Sequence, residues 1–79
     1  AVATVITDDK FAVPKQARGT VSVFAYGGVA SGVNLENLKY SLTNAELTPE
    51  YPIGVSNATG DKAGVVSVKS GSLLIFFPR

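Results

Sequence analysis

Apolar residues in this chain recur mostly at every second position, the period of a strand, whose successive side chains point to opposite faces. Val2–Thr7 is short and β-branched and predicts a strand. Asp8-Asp9-Lys10 reads as a turn, and Phe11–Val13 as a short strand ending at Pro14, which has no N–H for a sheet ladder. Gly19–Tyr26 is the clearest strand. It places Val21, Val23 and Ala25 on one face and Thr20, Ser22, Phe24 and Tyr26 on the other. Leu38–Leu42 alternates too, with Leu38, Tyr40 and Leu42 together, and predicts a half-buried strand. Tyr51–Val55 reads as an edge strand interrupted by Pro52 and Gly54.

The C-terminal run breaks the rule of one apolar face. Leu73, Leu74, Ile75, Phe76 and Phe77 stand in sequence, so a strand over Ser72–Phe77 is apolar on both sides. Gly64–Lys69 reads as its hairpin partner, joined through a tight turn at Ser70-Gly71 or a loop of three or four residues there. The connecting segments carry turn chemistry: Gly27–Gly32 reads as a pliant loop, Thr43–Pro49 as a polar connector and Ser56–Asp61 as a turn. Leu35–Leu38 offers at most one helical turn. No segment shows sustained helical periodicity with caps, so no crossover helix is available for a parallel sheet. The expectation is a single all-β domain over residues 1–79, a small antiparallel sandwich or barrel of about six to seven short strands, with residues 1–13 as an N-terminal arm or edge strand.

Composition narrows this further. The chain has 79 residues, 46% of them hydrophobic, which suffices for a core but leaves a thin stability margin at this size. Cysteine and histidine are absent, so no disulfide and no Cys/His zinc site staples the fold. Oligomerisation or docking on a partner is the remaining staple for so small a domain. Seven basic and six acidic residues are scattered and give a net charge of +1, which argues against nucleic acid as a partner. The sequence contains no run long and apolar enough for membrane insertion as a helix and no signal-peptide pattern. Ala1 is compatible both with removal of an initiator methionine and with a cleaved leader.

Candidate chemistry is sparse. Without His and Cys, the Ser-His-Asp and Cys-His nucleophile systems cannot be assembled from this chain. Gly27, Gly28 and Gly32 miss the GxGxxG spacing, and no GxxxxGK[ST] loop occurs. Nothing in the spacing of Asp8, Asp9, Glu36, Glu46, Glu50 and Asp61 selects a glycosidase-like carboxylate pair. Asp8-Asp9 and Asn57/Thr59/Asp61 offer oxygen ligands but miss the EF-hand spacing, and read as solvated turn residues. Asn57-Ala58-Thr59 matches a glycosylation sequon. The reading is a chain that is not an enzyme and uses no cofactor or metal.

Asn34, Leu38–Leu42 (LKYSL), Tyr51-Pro52-Ile53, Thr59-Gly60 and Val66/Val68 follow a rhythm that resembles cadherin-like and Ig-like β-sandwich repeats. The resemblance covers the middle of the chain and implies a sandwich. The calcium-ligand motifs of that family are absent, so it implies no binding residue.

These readings converge on assembly. If Leu73, Ile75 and Phe77 face a core, then Leu74 and Phe76 face outward, or the reverse. Either the strand is fully buried within the monomer, central in a closed barrel or covered by the N-terminal segment, or it leaves a patch that monomers rarely expose. The expected function is a non-catalytic structural protein that self-associates or docks on a larger scaffold, such as a virion decoration or capsid-cementing subunit. The expected interface comprises Leu74, Phe76, Phe24 and Tyr26, with Val2 and Val5 of the N-terminal strand. The alternative is an extracellular Ig-like recognition or carbohydrate-binding module using Tyr26, Tyr40 and Tyr51. Both readings favour a virion or extracellular setting.

Overall fold

The structure, a computed structural model, describes residues 2–14, 20–50, 57–59 and 62–77. The described residues form seven strands: β1 (Val2–Thr7), β2 (Lys10–Val13), β3 (Ser22–Ala25), β4 (Ala30–Glu36), β5 (Leu42–Leu47), β6 (Gly64–Ser67) and β7 (Ser72–Phe77). They make two antiparallel sheets, ordered β1-β7-β3 and β2-β6-β4-β5. The all-β antiparallel expectation holds, and no helix occurs among the described residues.

The inward faces of the two sheets share one core. Val23, Leu73 and Ile75 come from the first sheet; Val13, Val33, Leu35, Leu47 and Val66 come from the second, and all are fully buried. Each such side chain contributes about 1.5–3 kcal/mol on leaving water. Phe77 and Phe11 stack across the two sheets with ring centroids 5.6 Å apart. β7 is the central strand of its sheet, so its alternation is strict: Leu73, Ile75 and Phe77 are buried, Leu74 is half-buried and Phe76 is exposed.

Several expectations are corrected. β6 and β7 do not form a hairpin, because β6 pairs with β2 and β4 while β7 pairs with β1 and β3. Between them the chain crosses from one sheet to the other. Lys69 N and Ser70 N both donate to Ser31 O, at 3.1 Å each, and these bonds pin the crossing segment beside the start of β4. The segment read as a pliant loop, Gly27–Gly32, already enters β4 at Ala30, and the single helical turn at Leu35–Leu38 is strand up to Glu36. Thr43–Pro49 is not a connector, since β5 runs through Leu47. Leu38–Leu42 is not a continuous strand: Leu38 is buried and forms an isolated bridge with Thr59, Tyr40 is exposed, and β5 begins only at Leu42. The strand expected at Tyr51–Val55 lies outside the described residues.

Two irregularities explain the missed strands. The β4–β5 register shifts between Ala30 and Val33 and again between Val33 and Leu35. The first shift carries Gly32 at φ +65, a left-handed conformation that suits glycine at a bulge. A Cβ there would lie 2.5 Å from Lys69 Cβ. The second carries Asn44 at φ +51, with its N–H bonded to Asn34 Oδ1 at 2.9 Å. Each bulge interrupts the two-residue apolar period and then restores it.

Candidate functional site

Three surfaces carry the chemistry of this fold. The first is an open cleft of about 350 Å³ at one end of the sandwich, lined by Asp8, Asp9, Lys10, Gly32, Asn34, Ser67, Val68 and Lys69. The β1–β2 turn builds one wall. Asp8 takes φ +49 there, its N–H donates to Gly71 O at 3.1 Å, and its Oδ1 accepts from Gly71 N at 2.9 Å. Asp9 Oδ1 accepts from Lys10 N at 2.8 Å, and Val68 N donates to Asp9 O at 2.9 Å, tying the turn to the crossing segment. Asn34 Nδ2 donates to Gly32 O at 3.3 Å. Two carboxylates, two ammonium groups, an amide and a hydroxyl thus face one opening. They can hold a polar ligand by hydrogen bonds and charge. Among the described residues no group of three or more His, Cys, Asp or Glu stands close enough to hold a metal ion.

The second surface surrounds Asn57, the buried polar residue among those described, at 1% exposure. Its Oδ1 accepts from Tyr40 N at 2.8 Å and Ala58 N at 3.0 Å, and its Nδ2 donates to Tyr40 O. Its backbone pairs with Val21 in both directions at 2.7 Å. The clamp fixes the 37–41 segment against the start of β3 and leaves the Tyr40 ring exposed, with Lys39 Nζ 5.4 Å from its centroid. Turn composition hid this residue: a buried Asn and a solvated one look alike in sequence. As a sequon, Asn57 fails in the folded chain, since its amide nitrogen is buried and already bonded.

The third surface is the outward face of the β1-β7-β3 sheet. Strand register places Val5, Leu74 and Phe24 in one row, and Phe76 between Ala3 and Ser22 in the next. Phe24 and Phe76 meet edge to face at 6.0 Å between centroids. Tyr26 follows β3, with its N–H on Ser72 O at 3.0 Å, and is exposed. Five of the six residues expected at an interface therefore share one face. Val2 does not: it pairs with Phe77 on the inward side and is partly buried against the core.

The chain matches the family described as "Thiamin pyrophosphokinase, vitamin B1 binding domain" over residues 9–73. A search of curated proteins returns no match. Among solved structures it is similar to thiamine pyrophosphokinase from Bacillus subtilis (TM-score 0.84, 19% identity, 92% of this chain and 35% of that chain). It is also similar to thiamin pyrophosphokinase from Geobacillus thermodenitrificans (TM-score 0.80, 26% identity, 92% of this chain and 34% of that chain). A thiamin pyrophosphokinase family protein from Enterococcus faecalis shares the fold as well (TM-score 0.69, 20% identity, 98% of this chain and 37% of that chain). The chain spans about a third of the length of these relatives.

These matches overturn the cadherin-like and Ig-like resemblance. Of the residues that suggested it, Asn34 lies in the bulged β4, Leu38–Tyr40 in a bridge and bend, Leu42 at the start of the bulged β5 and Val66 in β6, while Tyr51-Pro52-Ile53 and Gly60 lie outside the described residues. They overturn equally the expected virion decoration or capsid-cementing subunit and the carbohydrate-binding alternative. The expectation that the chain is no enzyme falls too, because the family and the structural relatives are pyrophosphokinases. The missing His and Cys excluded nucleophile chemistry within these residues; they did not exclude a binding domain that belongs to an enzyme.

Proposed function

The chain belongs to the thiamin pyrophosphokinase vitamin B1 binding domain family, and from that premise we propose that it contributes the thiamine-binding part of a thiamin pyrophosphokinase. The observation that carries this is the family match over residues 9–73, which runs from the β1–β2 turn through both sheets into β7. Pyrophosphoryl transfer to thiamine needs groups that hold a polyphosphate donor and its charge. This chain has no glycine-rich phosphate loop and no concentrated basic patch. The division of labour follows: the β domain recognises vitamin B1, and the phosphate-handling chemistry belongs to the other two thirds of a relative-sized polypeptide.

The fold suits that role. Its loops at either end are pinned by backbone and side-chain hydrogen bonds, at Asp8–Gly71 on one side and Asn57–Tyr40 on the other. A ligand meeting such loops loses little affinity to ordering them. Isothermal titration calorimetry of the full natural polypeptide against thiamine, paired with an assay for the pyrophosphorylated product, tests the reading. Saturable binding with product formation is expected. Absence of both heat and product would remove the assignment.

A further inference from the structure

The two sheets of this sandwich meet their surroundings differently. The four-stranded sheet turns charged and amide side chains outward: Lys10, Asn34, Glu36 and Glu46 lie on its strands, the three charged ones exposed. The three-stranded sheet has no charged residue in any strand, VATVIT, SVFA or SLLIFF. Its outward face presents Val5, Phe24, Leu74 and Phe76 in contiguous rows, with Val5 46% and Phe76 37% exposed. One face is built for water and the other for contact, and a contiguous apolar patch on a small domain marks a binding surface.

We propose that this face is covered by the remaining part of the same pyrophosphokinase polypeptide, packed in cis, through a neutral, apolar surface on that part. The inference rests on the family-based reading above. Two observations choose the occupant. Relatives of this fold are about three times its length, so in them a body roughly twice the size of this domain is joined to it. The fold also fixes where any joined polypeptide leaves. Val2 is the register partner of Phe77, so both ends of the sheet's described chain lie together, at one corner of the β1–β7 pair. A segment continuing from either end starts beside the row of Ala3, Phe76 and Ser22. Tethering at that corner holds an attached body at high effective concentration over this face. A charged partner is disfavoured, because the strands offer no counter-charge to replace its water.

These 79 residues contain no cysteine, so each variant adds a single thiol to this domain, and the wild-type polypeptide reports any thiol elsewhere. Val5→Cys on the contact face and Ala12→Cys on the exposed outward side of β2 are introduced separately into the full natural polypeptide. Each is labelled with a maleimide, with the wild-type polypeptide as background and the urea-unfolded variants as the reference rate. The expected result is labelling at position 5 roughly tenfold or more slower than at position 12, at every protein concentration. Equal rates at the two positions would overturn the inference. Protection at position 5 that disappears on dilution would also overturn it, by assigning the face to a second copy. The product assay separates the two readings. Product without protection sinks the docking face alone; protection without product sinks the pyrophosphokinase assignment and leaves the covered face standing.

Discussion

Asn57 shows how one amide can organise a loop. It satisfies the N–H and C=O of Tyr40 together with the N–H of Ala58, while its own backbone pairs with Val21. Buried amides of this kind matter less for the bonds they form than for those left unmade when they are removed. Asn57→Ala strands both peptide groups of Tyr40 beside an apolar methyl, at an expected cost of about 2–3 kcal/mol. The measurement is the urea midpoint of the chain, with the slope of the transition unchanged. A variant within a few tenths of a kcal/mol of the parent would mean that water replaces the amide at no cost and that the clamp is dispensable. Nothing in Ser56–Asp61 announced this role, because Asn serves turns and buried clamps with the same amide, and only the register of Val21 against Asn57 decides between them.

At the scale of elements, what the sequence revealed follows the regularity of each strand. β1, β3 and β7 keep a clean two-residue alternation, and the split of β7 into Leu73, Ile75, Phe77 and Leu74, Phe76 was legible, while which set faces the core was decided only by the fold. β4 and β5 were lost because bulges at Gly32 and Asn44 put two residues, not one, between successive inward positions: Ala30 to Val33, and Leu42 to Ala45. The false hairpin between β6 and β7 has another cause. Ser70-Gly71 can turn a chain, but turn chemistry does not say whether the next strand stays in the sheet. Gly71 takes φ +110, where a Cβ would lie 2.7 Å from Val29 O, so the glycine serves a close crossing past the start of β4. The split along β7 carries a prediction. In the 79-residue chain, Leu73→Ala or Ile75→Ala opens a cavity in a fully buried site and costs about 2–5 kcal/mol. Phe76→Ala, on the contact face, costs about 1 kcal/mol or less there. Thermal or urea unfolding of the three variants decides. Equal losses along the strand would mean that both faces of β7 are already buried in the chain by itself.

For the molecule as a whole, connectivity matters more than any single strand. Of the consecutive strands among the described residues, only β4 and β5 pair with each other; every other pairing joins strands distant in sequence, and β1 meets β7 across nearly the full chain. Among the described residues, the order β1-β7-β3 gives β1 and β3 no strand partner other than β7. The three-stranded sheet therefore does not close until the last strand arrives; before then β3 is held by the Val21–Asn57 bridge at its start and β1 by the bonds of the Asp8-Asp9 turn to Val68 and Gly71. Loop closure of that length costs entropy before any contact repays it. Removal of residues 72–79 should consequently unfold the entire chain, not trim one strand from an otherwise intact sandwich. Far-ultraviolet circular dichroism and a cooperative melt, both present in residues 1–79, should be absent from residues 1–71. Disrupting β2 at an edge of the other sheet, by Phe11→Pro, should lower stability while leaving a cooperative transition, since β6 keeps its pairing with β4. A truncated chain that still melts cooperatively would show that the four-stranded sheet is stable without the first sheet, and that the shared core is not what makes the two layers one domain.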